Sequence, residues 1–197
     1  TYTVNHKGEK IAQVELSIPG MHNVYNSLSA FALATCYGVA TEAIVKGIKN
    51  FTGTDRRFQF KGQFNGVNVI DDYAHHPTEI QATINSARGT KLNKLWIMFQ
   101  PHTYTRTYNH LDDFAKVLSE ADHVILLDIY ASREKDTGLV SSKDLRDKIE
   151  ALGGVVTYCP TFNDAEKYAV DNCRKGDMLI TMGAGDVYKI GEKLVSK

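Results

Sequence analysis

Polar and apolar positions alternate along the start of the chain. In IAQVELSI, Ile11, Gln13, Glu15 and Ser17 fall on one face and Ala12, Val14, Leu16 and Ile18 on the other. That period of two marks a half-buried strand. With TYTVN before it and KGE between, residues 1–18 read as a polar hairpin. The pattern then changes. PGMHNVYN leads into the small, apolar SLSAFALATCYG, which predicts a packed helix ended by Gly38. ATEAIVKGIKNF predicts a second helix, with Ala43, Ile44, Ile48 and Phe51 near one face. TGTDRR reads as a linker.

From Phe58 onward short apolar runs alternate with amphipathic stretches. Strands are expected at RFQFKGQF, VNVIDDY, KLWIMFQ, HVILLDIY, VVTYCP and DMLITMG. Helices are expected at 78–88, about 107–120, 141–152, 163–173 and 186–195. This rhythm predicts an α/β fold: a Rossmann-like, mostly parallel open sheet flanked by helices. The first two strands lie close enough to form a hairpin, so one edge is expected to be antiparallel. In such sheets ligands bind beyond the carboxyl ends of the strands. The loops to watch are therefore DDYAHHP, QPHTYTR, DIYASRE and GAGD.

Composition narrows the class. The 197 residues are 43% hydrophobic, and 23 Lys+Arg balance 23 Asp+Glu. No basic stripe of the kind that holds nucleic acid stands out, although a nucleotide needs only a few donors. No apolar run is long enough to span a bilayer, and the first residues lack the apolar core of a signal peptide. The chain opens without Met and in mid-pattern, which suggests part of a longer cytoplasmic protein. Cys36, Cys159 and Cys173 are widely spaced, so reduced, inert thiols are expected rather than a metal site.

The chemistry concentrates in DDYAHHPTE. Pro77 suits the first position of a helix, His76 would be its N-cap, and Glu79 falls where a capping box places its acid. Helix-starting rules leave Asp71, Asp72, Tyr73, His75 and His76 unexplained at a strand end. Three readings stay open for them: ribose and amine binding, a structural turn, or a metal site. The metal reading is weak because adjacent histidines chelate poorly and no third ligand is evident. In FQPHTYTRT, Pro101 stops a strand and His102 and Arg106 follow it. If the two strands are neighbours, His75, His76, His102 and Arg106 share one crevice. His22, Asn23 and Asn26 offer donors and acceptors on one helical turn, as an adenine edge requires; Asn is equally a normal cap. DRRF supplies two guanidiniums able to bind an anion. MGAGD is a tight strand-to-helix turn without the third glycine of a dinucleotide fingerprint. Asp128 and Glu134 sit at a third strand end without an assigned role.

PGMHNVYN, DRRF, DDYAHHPTE, FQPHTYTRT, DIYASRE and MGAGDVY occur in this order. Together they resemble the Mur ligases, the ATP-dependent amide-forming enzymes of peptidoglycan synthesis. Within that family the resemblance is to the member joining L-alanine to UDP-N-acetylmuramate. It implies that residues 1–54 are the tail of a central ATP-binding domain and 55–197 a carboxyl-terminal Rossmann-like domain. It implies ATP with Mg²⁺, whose ligands, like the phosphate-binding loop, would lie upstream of Thr1, so that this portion alone would be inactive. It implies an acyl phosphate that the amine of L-alanine attacks. By position, His22, Asn23 and Asn26 match the adenine contacts, Arg57 an arginine near the ATP phosphates, and Asp72 the ribose-holding acid. Tyr73, His75, His76, His102 and Arg106 match the region that receives and orients L-alanine. Several relatives carry Arg at the place of Thr103, and Arg106 is the natural replacement. The competing readings are a Mur-type ligase adding a recycled peptide to the same nucleotide sugar, a dinucleotide-binding module, and a metallohydrolase built on His75 and His76.

Overall fold

The computed structural model describes residues 1–196. The chain divides into two compact units, Thr1–Thr54 and Asp55–Lys197. In the first, β1 (Tyr2–His6) and β2 (Glu9–Val14) pair antiparallel. Lys7 and Gly8 take φ of 52° and 88° at the turn, a backbone whose twist suits a two-residue hairpin. The ladder stops where Tyr2 meets Val14. Residues 15–18, expected in the strand, therefore have no partner backbone. Leu16 and Ile18 nonetheless stay half-buried while Glu15 and Ser17 are exposed, so the alternation persists.

α1 (Met21–Cys36) and α2 (Thr41–Asn50) complete this unit. Val4, Ala12, Val14, Phe31 and Ile44 form its small core, with Val45 and Ile48 against it. Two expectations need correction. Ala43 and Phe51 are exposed, so the inner face of α2 is Ile44, Val45 and Ile48. α1 buries only Phe31 and leaves Leu33 61% exposed, so its apolar composition is not matched by packing within this unit.

The second unit runs β3 (Gln59–Phe64), β4 (Val67–Asp72), α3 (Pro77–Arg88), β5 (Leu95–Phe99), α4 (Tyr104–Asn109), α5 (Leu111–Leu118), β6 (His123–Leu126), α6 (Ser142–Ala151), β7 (Val156–Tyr158), α7 (Phe162–Asn172), β8 (Met178–Met182) and α8 (Tyr188–Val195). Its sheet has the order β3-β4-β8-β5-β6-β7. Only β3 is antiparallel, joined to β4 by Asn65–Gly66 at φ 50° and 79°. The remaining pairs are parallel.

The central strands β5 and β8 are buried on both faces, as parallel strands covered by helices must be. Leu95, Ile97 and Phe99 of β5 meet Ile80 and Ile84 of α3, Phe114 and Leu118 of α5, and Leu145 and Ile149 of α6. Trp96 and Met98 face the other layer with Ala165, Ala169, Ile190 and Leu194 of α7 and α8. The single helix expected over 107–120 is two helices, hinged at His110 with φ −118° and ψ 22°. Asp112 and Asp113 explain the restart, since carboxylates favour a helix N-terminus.

Phe99 is fully buried and its ring lies 5.6 Å from that of Phe114. Phe99→Ala is expected to lower the unfolding free energy by about 3–5 kcal/mol. The readout is a lower denaturant midpoint at unchanged slope; an unmoved midpoint would contradict close packing here.

Candidate active site

The crevice expected of this topology opens between β5 and β8. After β5 the chain turns to the α5 layer, and after β8 to the α8 layer, so the two connections part. The strands carrying His75 and His102 are not neighbours, contrary to the adjacency assumed from sequence: β8 lies between β4 and β5. The two loops still meet, because β8 is followed by Gly183, Ala184 and Gly185. Side chains there would fill the space. A Cβ on Gly183, at φ 144°, would stand 2.6 Å from the Gln100 carbonyl oxygen. One on Gly185 would stand 2.6 Å from Gln100 Oε1 and 3.0 Å from the Tyr130 ring.

Arg56 ties the rim together, a role the sequence did not single out. Its Nε donates to Asp71 Oδ2 at 3.0 Å, and its NH2 donates to the carbonyls of Gly183 and Gly185 at 2.8 and 3.2 Å. The guanidinium lies 4.9 Å from the Tyr73 ring centroid and 4.5 Å from that of Tyr188. Its carbonyl accepts from the Tyr73 N–H at 2.7 Å. Asp71 is wholly buried and takes a second bond from the Thr181 hydroxyl. Arg57, by contrast, is 54% exposed, with Glu79 Oε1 3.9 Å away.

Asp72 is buried, and both its oxygens accept backbone N–H groups, from Phe58 at 2.9 Å and Ala74 at 2.8 Å. Burial raises its pKa, against the opposing effect of these bonds and of Thr83 and Arg57. The carboxylate thus holds the turn between β4 and α3. At the helix start, Pro77 opens α3 and His76 Nδ1 accepts from the Thr78 N–H at 3.3 Å. Glu79 reaches back one residue further than a capping box requires: Oε2 accepts the His75 N–H at 3.0 Å. Burial opposes its charge, but that bond, the His75 ring and Arg57 outweigh it and keep its carboxyl below the ordinary range.

The imidazoles sort into two places. His75 and His102 face each other with centroids 6.0 Å apart, and Tyr73 meets His75 edge-on at 5.2 Å. His76 instead packs 4.8 Å from His110 at the hinge between α4 and α5. His102 stacks on Tyr130, held by a short bridge between the two chain segments. Arg106 NH1 lies 3.0 Å from His102 Nδ1. A guanidinium can only donate, so Nδ1 accepts and the ring proton sits on Nε2. Burial first, then the charges of Arg106 and His75, lower the pKa of His102 against a pull from Glu134.

Thr103 adopts φ 66°, uncommon for a branched residue. Its N–H donates to the Tyr130 carbonyl, and its own carbonyl accepts both the N–H and the hydroxyl of Thr107. Glu134 caps the next turn by accepting the Thr105 N–H at 2.9 Å. Asp128 accepts the Tyr158 hydroxyl, whose pKa is pushed up to about 12 by burial and then by that carboxylate. In the first unit His22, Asn23 and Asn26 occupy the first turns of α1. His22 and Asn26 are exposed, while Asn23 Nδ2 donates to the Pro19 carbonyl at 2.6 Å. Among the described residues, no group of three or more His, Cys, Asp or Glu is placed to hold a metal ion. The three cysteines are free; burial raises the pKa of Cys159, and that of Cys173 to about 12. No described helix is long and apolar enough to cross a membrane.

A family profile described as Mur ligase, glutamate ligase domain matches residues 56–185. The chain belongs to the Mur ligase family. Among Mur ligases, it is 54% identical over 195 residues to a UDP-N-acetylmuramate–L-alanine ligase of Lachnospira eligens, covering 99% of this chain and 42% of that protein. A ligase of the same name from Acetivibrio thermocellus is 47% identical over 191 residues, 97% of this chain and 41% of that one. The crystal structure of UDP-N-acetylmuramate-alanine ligase from Thermotoga maritima superposes with a TM-score of 0.80 at 28% identity, over 96% of this chain and 40% of that chain. A murein peptide ligase from Psychrobacter arcticus superposes at 0.69, also at 28% identity, over 98% and 40%. The chain therefore spans about two fifths of the Mur ligases it matches. The Mur-type α/β sheet is the fold expected from the alternating strands and helices.

Arg56→Ala leaves Asp71 buried and uncompensated, and is expected to cost about 3–5 kcal/mol in chemical denaturation. Arg57→Ala should change stability by under about 0.5 kcal/mol. Equal effects of the two would refute the division of labour between these neighbours. A depressed histidine pKa also has a sign. The unfolded chain takes up a proton at the ordinary value while folded His102 resists it. Its contribution to stability therefore falls as pH drops through the ordinary histidine range, and vanishes above it. By NMR titration His102 should protonate below an exposed histidine, and Arg106→Gln should move its midpoint upward; an unmoved midpoint would remove Arg106 as a cause.

Proposed function

We propose that this chain is the carboxyl-terminal part of an ATP-dependent ligase joining L-alanine to UDP-N-acetylmuramate through an acyl phosphate, for peptidoglycan synthesis in the cytoplasm. The observation that carries this reading is the 54% identity, over nearly the whole chain, to a ligase of that name. The polar mouth supports it. Tyr73, His75, His102 and Arg106 stand around one opening between strand ends, suited to an amino acid's carboxylate and amine. His102 presents an Nε2–H and Arg106 a guanidinium, both donors for a carboxylate. His76 supports the same turn from behind, as the cap of α3.

ATP with Mg²⁺ would supply the activation of the acid. Arg57 fits a phosphate, being exposed and only distantly paired. His22 and Asn26 fit an adenine edge, with Asn23 fixing the turn through Pro19. Asp72 has both oxygens engaged with backbone; we assign it to holding the loop rather than to direct contact with ribose. The Mg²⁺ ligands are assigned to the part of such a ligase that this chain does not span. The portion alone is then expected to be inactive. A second reading, addition of a recycled peptide to the same nucleotide sugar, is favoured by the likeness to the murein peptide ligase.

The test is phosphate release by the full-length protein with ATP and UDP-N-acetylmuramate. L-alanine should drive it in strong preference to a tripeptide; the reverse preference would select the second reading. His102→Ala or Arg106→Ala should raise KM for L-alanine about 10–100-fold, the worth of a hydrogen bond to a charged group, with KM for ATP little changed. Unchanged L-alanine kinetics would remove both residues from the amino-acid site.

A further inference from the structure

The two imidazoles at the mouth are held in opposite tautomers. His102 Nδ1 accepts from Arg106, so His102 offers an N–H to the opening. His75 Nδ1 lies 2.9 Å from the Tyr73 carbonyl oxygen and 3.5 Å from Glu79 Oε2. Both neighbours can only accept, so the proton sits on Nδ1 and Nε2 carries a lone pair. Nε2 has no hydrogen-bond partner among the described residues, and the side chain is 22% exposed. The same Glu79 oxygen also accepts the His75 N–H at 3.0 Å, which fixes the residue at backbone and ring together. The groups around the ring are Glu79 from α3, Tyr73 from its own loop and His102 from the loop after β5, with Arg106 of α4 beyond it on His102. Arg57 lies behind, on the other oxygen of Glu79.

We propose that His75 is the base that takes the proton from the incoming amino acid's ammonium group, its tautomer fixed by the Tyr73 carbonyl, and that Glu79 is the positioning residue that holds the His75 backbone and sets a carboxylate beside the ring. The inference rests on the ligase reading above. At neutral pH an amino acid arrives as an ammonium ion, which has no lone pair to attack with. One N–H bond breaks and its electrons stay on nitrogen. The proton passes to Nε2, and the amine becomes a nucleophile. The imidazolium so formed keeps Nδ1–H toward the Tyr73 carbonyl and gains the carboxylate of Glu79 as its counter-charge. His102 cannot do this work, because its one acceptor nitrogen is engaged by Arg106 and its exposed nitrogen carries a proton. The mouth thus holds one base and one donor for the two ends of one amino acid.

The experiment measures kcat/KM for L-alanine against pH in the full-length protein, alongside KM for ATP and thermal midpoint. In the wild type the acid limb reports protonation of the base. His75→Asn should lower kcat/KM about 100-fold or more, abolish the acid limb and leave KM for ATP within about twofold. Glu79→Gln keeps an oxygen for the His75 N–H but loses the charge. It should lower kcat about tenfold, while Glu79→Asp recovers part of the loss. An intact acid limb in His75→Asn, or an unchanged kcat in a folded Glu79→Gln protein, overturns the proposal. Absence of L-alanine-dependent phosphate release in the wild type would instead defeat the ligase reading itself.

Discussion

One guanidinium holds the working end of the second unit together. Three segments distant in sequence converge at the ends of β4 and β8: residues 55–58, the DDYA turn and the glycine turn after Met182. The glycine turn cannot pack there through side chains, since Gly183 and Gly185 lie against Gln100 and Tyr130. Arg56 closes the gap with directed bonds, neutralising buried Asp71 and satisfying two carbonyls of the glycine turn. A charge as buried as Asp71 is tolerable only when paired and hydrogen-bonded. The pairing therefore fixes the geometry of the turn that carries Tyr73 and His75.

What this geometry provides is an opening over a central strand. β8 occupies the middle of the sheet but is followed by residues with almost no side chain, so the loops from its two neighbours reach over it. The loop after β4 brings His75, and the loop after β5 brings His102. Each ring is then set by its own local partner, Tyr73 and Glu79 for one and Arg106 for the other. Glu134 and Tyr130 brace the second loop from the end of β6. Chemistry at the mouth is thus decided by short-range hydrogen bonds on a frame made rigid by buried aliphatic strands.

Much of this was legible in the sequence, and the misses share a cause. The strand and helix rhythm, the antiparallel edge, and the Pro77 start of α3 all follow from local rules, and each is seen. Strand order is not local. β8 comes last in the chain and inserts between β4 and β5, so adjacency inferred from chain order failed although the two loops do meet. Arg56 and Arg57 are indistinguishable as letters; only the fold directs one inward and the other to solvent. For Asp72 the sequence shows only an acid at a strand end; the fold adds that the N–H groups of Phe58 and Ala74 bond its two oxygens. The hinge at His110 was hidden because helix propensity continues through it. In α1, composition suggested packing, but burial depends on what lies opposite, and that is not written in the helix itself.

The central claim is that local partners fix His75 and His102 in opposite tautomers on one frame. Long-range proton–nitrogen correlation spectra of the histidine-labelled protein at neutral pH test it most directly. The account predicts a protonated Nδ1 for His75 and a protonated Nε2 for His102, each a single form. The same tautomer at both rings, or averaging between forms at His75, would contradict it.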